Sequence, residues 1–282
     1  MKKLKSILLE TLIFKIYLKY KSRLVTDGLT KINILKTFPL FEAHGWDLYP
    51  IRAKLTIQSI NQVIPSLSEF AELNNENIEF KLKVLGFLKN QEYKEKLGEL
   101  FNFHGSDKAT IHNYYLIYSS ILNEIENPKK IFEIGLGTNN IDVVSTMGKD
   151  GKPGASLRAF RDYLENINVY GADFDKRVLF DENRIKTFYV DQTDPKTFLN
   201  LSKKIDSDFD LMIDDGLHSP NANLNSLAFF KNKIKKGGYI VIEDINPKTE
   251  KLWITVSNLT EKEFKSAFIK TKSACVFILQ KK

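Results

Sequence analysis

Hydrophobic positions follow two different periods along this chain, and the change falls near residue 100. In the first part apolar residues recur at helical spacing, as at Leu4, Ile7, Leu8, Leu12 and Ile16 with lysines between them, and again through the lysine- and leucine-rich stretch 78–103. Pro39, Gly45 and Pro50 mark breaks between these segments. Beyond residue 129 short apolar runs alternate with helical stretches, the pattern of a parallel sheet with crossover helices. The runs are 130–134, 169–172, 187–190, 209–213 and 239–242, with 252–256 and 274–279 as two more. They predict an α/β domain over 97–282 with a seven-stranded, mostly parallel sheet and flanking helices. A helical region over 1–96, serving assembly or substrate recognition, precedes it with no low-complexity linker between.

Residues 1–24 have a basic start and many apolar side chains, but Glu10 and Lys15 interrupt the run and no small-residue cleavage site follows. The segment therefore reads neither as a secretion signal nor as a membrane span, and no other stretch resembles a span. It fits an amphipathic helix packed on the protein or on a second subunit, so a homo-oligomer is expected. Peripheral contact with a membrane surface is the alternative, since basic amphipathic helices bind anionic lipid.

Composition narrows the classes. In 282 residues the chain carries a net charge of +7, with 43% hydrophobic residues, 20 Phe and 11 Tyr, which excludes a disordered chain. The single cysteine, Cys275, excludes an internal disulfide and a multi-cysteine zinc site, and points to a reducing, cytoplasmic setting. The positive surplus is nearly all lysine, because arginine stands only at positions 23, 52, 158, 161, 177 and 184. Bidentate recognition of bases and phosphates favours arginine, so the surplus reads as solvated surface and no nucleic-acid partner is expected.

Candidate chemistry collects where the strands end, the edge at which open α/β sheets bind ligands. The first strand runs into Glu133-Ile-Gly135-Leu-Gly137, whose two glycines let the backbone turn tightly and approach a ligand. As a dinucleotide fingerprint it is incomplete, because Asn140 stands at the third glycine position. The second strand ends at Asp173, suited to accept from two ribose hydroxyls, and the third at Asp191-Gln192, whose side chains could read an adenine edge. Asp194-Pro195 then reads as a helix N-cap followed by proline at the first helical position. Singly, each acid reads as a cap or a solvated loop. Together they resemble the S-adenosylmethionine-dependent methyltransferases of Rossmann-like fold. The resemblance implies that the loop of Glu133, Gly135 and Gly137 cradles the methionine part of S-adenosylmethionine, that Asp173 holds the ribose, and that Asp191 and Gln192 lie against adenine. One spacing departs from the pattern: Glu133 and Asp173 are forty residues apart, where about twenty is usual. The surplus falls in the loop 139–155, before Ser156, which is placed to cap the next helix and turn its N-terminus toward an anionic group such as the cofactor carboxylate.

The fourth strand delivers Asp214-Asp215-Gly216-Leu217-His218 and the fifth delivers Glu243-Asp244. Neighbouring strands would bring Asp215 and Asp244 together, and a hard divalent cation, magnesium or manganese, relieves their repulsion. Such an ion leaves coordination positions for substrate oxygens, and His218 would take the proton of a bound hydroxyl as general base. Glu243 would be a third ligand or a partner behind the ligands. The plain alternative is that Asp214 or Asp215 caps the following helix and His218 is a turn residue.

As a set, DDGLH, GGYIVIEDI, GASLRAF and DQTDP are similar to metal-dependent sugar O-methyltransferases of the macrolide deoxysugar type. Upstream, Gly105-Ser-Asp-Lys108 followed by His112-Asn-Tyr114 and Tyr118 resembles the entry motif of that group. The resemblance implies that this segment lies over cofactor and substrate, with Lys108 and Tyr114 toward the cofactor and His112 near the reacting centre, and that Asp214 stands on the cofactor side of the acid pair. It covers about residues 97–247, with Leu217 standing where a small polar residue is expected. The expected activity is methyl transfer from S-adenosylmethionine to a sugar hydroxyl of a nucleotide-linked or otherwise activated glycan precursor, as in polysaccharide biosynthesis. Its rivals are methyl transfer to a non-sugar small molecule, a nicotinamide-dependent oxidoreductase, and a non-enzymatic docking protein.

Overall fold

The computed structural model describes residues 91–143, 145–271 and 274–282. The helix expected over 1–24, the breaks at Pro39, Gly45 and Pro50, and all of the region 1–96 before residue 91 lie outside the described residues.

Helices α1 (Gln91–His104) and α2 (Tyr115–Glu124) lead into β1 (Lys130–Ile134). There follow α3 (Ala155–Tyr163), β2 (Asn168–Asp173), β3 (Asp181–Glu182), β4 (Ile185–Tyr189), α4 (Pro195–Ser202) and β5 (Phe209–Asp214). The chain closes with α5 (Pro220–Lys231), β6 (Ile234–Ile245), α6 (Glu250–Thr260), β7 (Phe264–Lys270) and β8 (Cys275–Lys281). One sheet holds all eight strands in the order β3-β4-β2-β1-β5-β6-β8-β7. Strands β4, β2, β1, β5 and β6 are parallel, while β3, β8 and β7 join antiparallel at the two edges. Among the described residues no helix is long and apolar enough to cross a membrane.

The central strands were legible as apolar runs because they are buried on both faces. Ile131, Leu211, Val241 and Ile278 face one layer with Leu97, Phe101, Tyr118 and Phe160. Their neighbours Phe132, Met212, Ile242 and Leu279 face the other, with Phe198, Phe229, Phe230 and Trp253. In that second layer the Phe132 ring lies edge-on to Phe209, Phe229 and Phe230 at centroid distances of 5.7, 6.1 and 6.0 Å, arrangements favoured by the ring quadrupoles.

Three expectations are corrected. The run 252–256 is helical, within α6, where Trp253, Val256 and Thr260 are buried at helical spacing; a five-residue apolar run does not distinguish the two periods. The strand that pairs with β8 is β7 instead. The eighth strand, β3, is two exposed acidic residues held by pairing with β4, and carries no hydrophobic signal. Ser156 does not cap α3: Gly154, in the left-handed region at φ 73°, holds that position, and Ser156 lies inside the helix. Asp194 does cap α4, accepting from the Lys196 amide with Pro195 in the first turn.

Strand order reverses at β1. The chain moves from β1 outward to β2 and β4, then returns to place β5 and β6 on the other side. A crevice opens at such a switch point along the C-terminal edge. Here it lies between the turns after β1 and β5, where Ile134 pairs with Asp214.

Candidate active site

The turn after β1 is built for close backbone approach. Gly135 adopts φ +97°, and a Cβ there would lie 2.0 Å from the carbonyl oxygen of Asp215, so only glycine lets the β1 and β5 turns touch. The Asp215 amide donates to the Ile134 carbonyl at 2.8 Å across the same contact. Gly137, at φ +73°, turns the loop beneath the Met147 side chain. Asp173 fixes this loop: Oδ2 accepts from the Leu136 amide and Oδ1 from the Asp175 amide, each at 2.8 Å. Burial pushes its carboxyl up, opposed by those amides.

Above these turns is a cavity of about 580 Å³, within the range of small-molecule sites. Gly135, Gly137, Asp173 and Asp191 line it from the β1, β2 and β4 ends, and Asp215, His218 and Asp244 from the β5 and β6 ends. Lys108, Ser156 and Gln192 also reach its wall. Glu133, Asp214 and Glu243 lie behind it, essentially without exposure. Gln192 has its amide committed elsewhere: Nε2 donates to Asp214 Oδ1 at 2.7 Å and Ser226 Oγ at 2.8 Å, and Oε1 accepts from the Leu217 amide at 2.7 Å. Asp214 in turn accepts from Asn223 Nδ2 at 3.0 Å. Gln192 and Asp214 thus brace the β5 turn. Neither Asp214 nor Asp215 caps α5, whose N-cap is Ser219.

Beneath the cavity lies a charge cluster around Lys108, which is 1% exposed. Its Nζ stands 2.5 Å from Asp215 Oδ2, 2.6 Å from Glu243 Oε2 and 3.3 Å from Glu133 Oε1. Ser156 Oγ donates to Glu133 Oε2 at 2.7 Å, and the Tyr118 hydroxyl donates to Glu243 Oε1. Burial works against the charge of Lys108, but the surrounding carboxylates outweigh it and hold the ammonium well above its ordinary range. Burial pushes Glu133 up to about 7 against the pull of Lys108, and raises Glu243 well above the usual carboxylate range, helped by Asp215. One ammonium thus compensates three carboxylates only in part.

Next to this cluster, one ligand atom each from Asp215, His218 and Asp244 lie within 4.8 Å of one another. His218 Nε2 is 3.9 Å from Asp215 Oδ1 and 3.7 Å from Asp244 Oδ2. Both His218 and Asp244 have left-handed backbones, at φ 54° and 51°, a conformation that side chains other than glycine adopt at a cost. The reason at Asp244 is a bulge. Between Ile242 and Ile245 the β6–β8 register slips, so that Glu243 and Asp244 oppose a single residue of β8. Regular pleating would send the two side chains to opposite faces. The bulge lets Asp244 join the cavity wall while Glu243 stays on Lys108 and Tyr118. The Tyr114 hydroxyl donates to Asp244 Oδ1 at 2.5 Å, and His112 stacks on Tyr114 with Nδ1 3.6 Å from the same oxygen. The two carboxylate oxygens suit a hard divalent cation, and the imidazole nitrogen stands beside them. Glu243, expected as a ligand or a partner behind the ligands, reaches the group through Lys108.

Sequence reasoning missed Phe174, which is 56% exposed, lines the cavity and lies beside Tyr189. It also missed Asn223 and Ser226, buried polar residues one turn apart on the otherwise apolar face of α5. That pairing is a signal that a helix faces polar groups at a strand end.

The sheet and its crevice define a Rossmann-like methyltransferase fold. By structure the chain is similar to MycE, a methyltransferase from the mycinamycin biosynthetic pathway solved in complex with Mg, SAH and mycinamycin VI, with a TM-score of 0.54, 20% identity, and coverage of 66% of this chain and 53% of that one. No family model matches the sequence. By sequence it is 29% identical over 143 residues to the 8-demethyl-8-alpha-L-rhamnosyl tetracenomycin-C 2'-O-methyltransferase of Streptomyces olivaceus, covering 50% of this chain and 35% of that protein. It is 35% identical over 92 residues to the mycinamicin VI 2''-O-methyltransferase of Micromonospora griseorubida, covering 33% and 23%. These matches span about a third or less of the curated relatives' own length. By sequence the chain is thus related to O-methyltransferases named for rhamnosyl tetracenomycin and mycinamicin VI, in line with its motifs.

Proposed function

We propose that the protein transfers a methyl group from S-adenosylmethionine to a sugar hydroxyl, with a divalent cation held by Asp215 and Asp244 and with His218 as the base. The observation that carries this reading is the convergence of Asp215, His218 and Asp244 on a cavity also lined by the glycine turn after β1. The names of the curated relatives support a sugar acceptor. When bound, S-adenosylmethionine supplies an electrophilic methyl group and the cation lowers the pKa of a coordinated hydroxyl.

The chain's own residues do the rest. Gly135 and Gly137 bring backbone close to the cofactor, and Asp173, with one N–H on each oxygen, retains acceptor capacity for ribose hydroxyls. Asp191 and Phe174 border the adenine end. Asp215 Oδ1 and Asp244 Oδ2, the oxygens turned to His218, would hold the cation, and His218, a third exposed, would take the hydroxyl proton at Nε2. The chain's net charge of +7 would suit an acceptor that carries a phosphate or diphosphate. The region 1–96 adds assembly or acceptor recognition, and a homo-oligomer is part of this reading.

The test is a panel of nucleotide-sugars with labelled cofactor, with and without chelator. Label should enter a sugar hydroxyl, S-adenosylhomocysteine should bind and NAD should not, and chelation should stop turnover. In His218→Ala turnover should drop at least about 100-fold with S-adenosylhomocysteine affinity unchanged. Full activity in that variant would remove His218 from the base role.

A further inference from the structure

Both carboxylates of the candidate cation site have one oxygen engaged from behind and the other turned to His218. Asp215 Oδ2 takes the Lys108 ammonium at 2.5 Å, while Oδ1 turns to His218 Nε2 at 3.9 Å. Asp244 repeats the arrangement: Oδ1 accepts from the Tyr114 hydroxyl at 2.5 Å, while Oδ2 turns to His218 at 3.7 Å. Both pins come from one short segment between α1 and α2, more than a hundred residues away in sequence. Lys108 and Tyr114 are each 1% exposed, so neither is a mobile surface group. Tyr114 is further fixed by the His112 ring, stacked at 4.9 Å and 20°.

A carboxylate with two uncommitted oxygens rotates and offers a cation one or both of them. One whose first oxygen is pinned offers only the second, in one direction. We infer that Lys108 and Tyr114 are positioning residues of the cation site, which hold Asp215 and Asp244 so that each presents a single oxygen toward His218. The inference rests on the assignment of Asp215 and Asp244 as cation ligands. Lys108 also compensates Glu133 and Glu243, so its replacement changes the buried charge as well. Tyr114→Phe is the cleaner probe, since it keeps the ring, the stacking and the volume and deletes one hydroxyl.

The experiment measures Mn²⁺ binding to the full chain by the loss of the free-ion paramagnetic resonance signal. S-adenosylhomocysteine affinity and thermal unfolding without metal are followed alongside. For Tyr114→Phe the expected result is Mn²⁺ affinity lowered about 10-fold, the scale on which groups that orient metal ligands act. S-adenosylhomocysteine affinity should stay within about twofold, because Tyr114, expected toward the cofactor, is not part of the cavity lining and turns its hydroxyl to Asp244; a merely structural defect would lower both affinities. Mn²⁺ affinity unchanged in Tyr114→Phe, with the wild type binding well, overturns the inference alone. A wild type that binds S-adenosylhomocysteine but no Mn²⁺ overturns the cation assignment, and this inference with it. Should Tyr114→Phe fail to fold, His112→Gln at a partly exposed position releases the stack on Tyr114 and removes the imidazole 3.6 Å from the pinned oxygen of Asp244. It should weaken Mn²⁺ in the same direction by about threefold, and unchanged affinity there counts equally against the inference.

Discussion

An aspartate stands near each end of strand β5, Asp210 just inside its start and Asp215 just past its finish, and the two have opposite fates. Asp210, near its start, is 1% exposed; Oδ2 accepts from the amides of Lys129 and Lys130, both at 2.7 Å, and Oδ1 pairs with Lys235. The side chain ties the start of β1 to β5 and β6. Asp215, one residue past the other end, has Oδ2 on Lys108 but Oδ1 turned toward His218, and its side chain is 23% exposed to the cavity. At the N-terminal edge of the sheet, connecting segments bring donors onto the acid. At the C-terminal edge, the reversal of strand order leaves it facing open space. The number of donors committed to each oxygen, more than burial, separates a structural acid from a candidate ligand.

The largest expected effect tests the cluster behind Asp215. Lys108→Met leaves Glu133, Asp215 and Glu243 without the ammonium that faces them, and should cost about 3–5 kcal/mol in urea unfolding at neutral pH. A loss under about 1 kcal/mol would mean that the cluster is not held by that charge. Next comes the pair of aspartates. Asp210→Ala strips the acceptor from two backbone amides and should cost about 1–3 kcal/mol with S-adenosylhomocysteine and Mn²⁺ binding intact. Asp215→Ala should do the reverse, abolishing Mn²⁺ binding with little loss of stability, because Lys108 keeps Glu133 and Glu243. If the two variants behave alike, the two ends of β5 do not differ in the way their donors imply.

Most of the sheet was legible because two-sided burial writes a strand as an unbroken apolar run, as in β6, where 239–242 are all apolar and buried. Acids and glycines just past such runs marked the crevice for the same reason. What stayed hidden depends on contacts between distant segments. Their place after the apolar run singled out Asp214 and Asp215 over Asp210, but nothing local showed what holds each: the amides of Lys129 and Lys130 on Asp210, Gln192 and Asn223 on Asp214, and Lys108 on Asp215. The bulge that brings Asp244 to the cavity wall is a matter of register against β8, invisible in GGYIVIEDI itself. Gln192 was legible as polar at a strand end, but not as a brace of the β5 turn. The two-residue β3 has no hydrophobic content to betray it.

The smallest expected effect sharpens the comparison at β1, beside both ends of β5. Glu133 is fully buried, with Oε2 on Ser156 and Oε1 3.3 Å from Lys108, and burial pushes its carboxyl from 4.5 up to about 7. The unfolded chain releases this proton near pH 4.5, while the native chain keeps it to about pH 7. Between these values the native state binds more protons, so this group's contribution to stability falls as pH rises through the window. Glu133→Gln carries no charge at any of these pH values and keeps an acceptor for Ser156. Unfolding midpoints in urea at pH 5, 6, 7 and 8 should therefore decline less steeply in the variant, which gains on the wild type toward pH 8. Parallel profiles would mean that Lys108 holds Glu133 ionised throughout. Lys108 would then be divided among three full negative charges, and the pin on Asp215 would be correspondingly weaker.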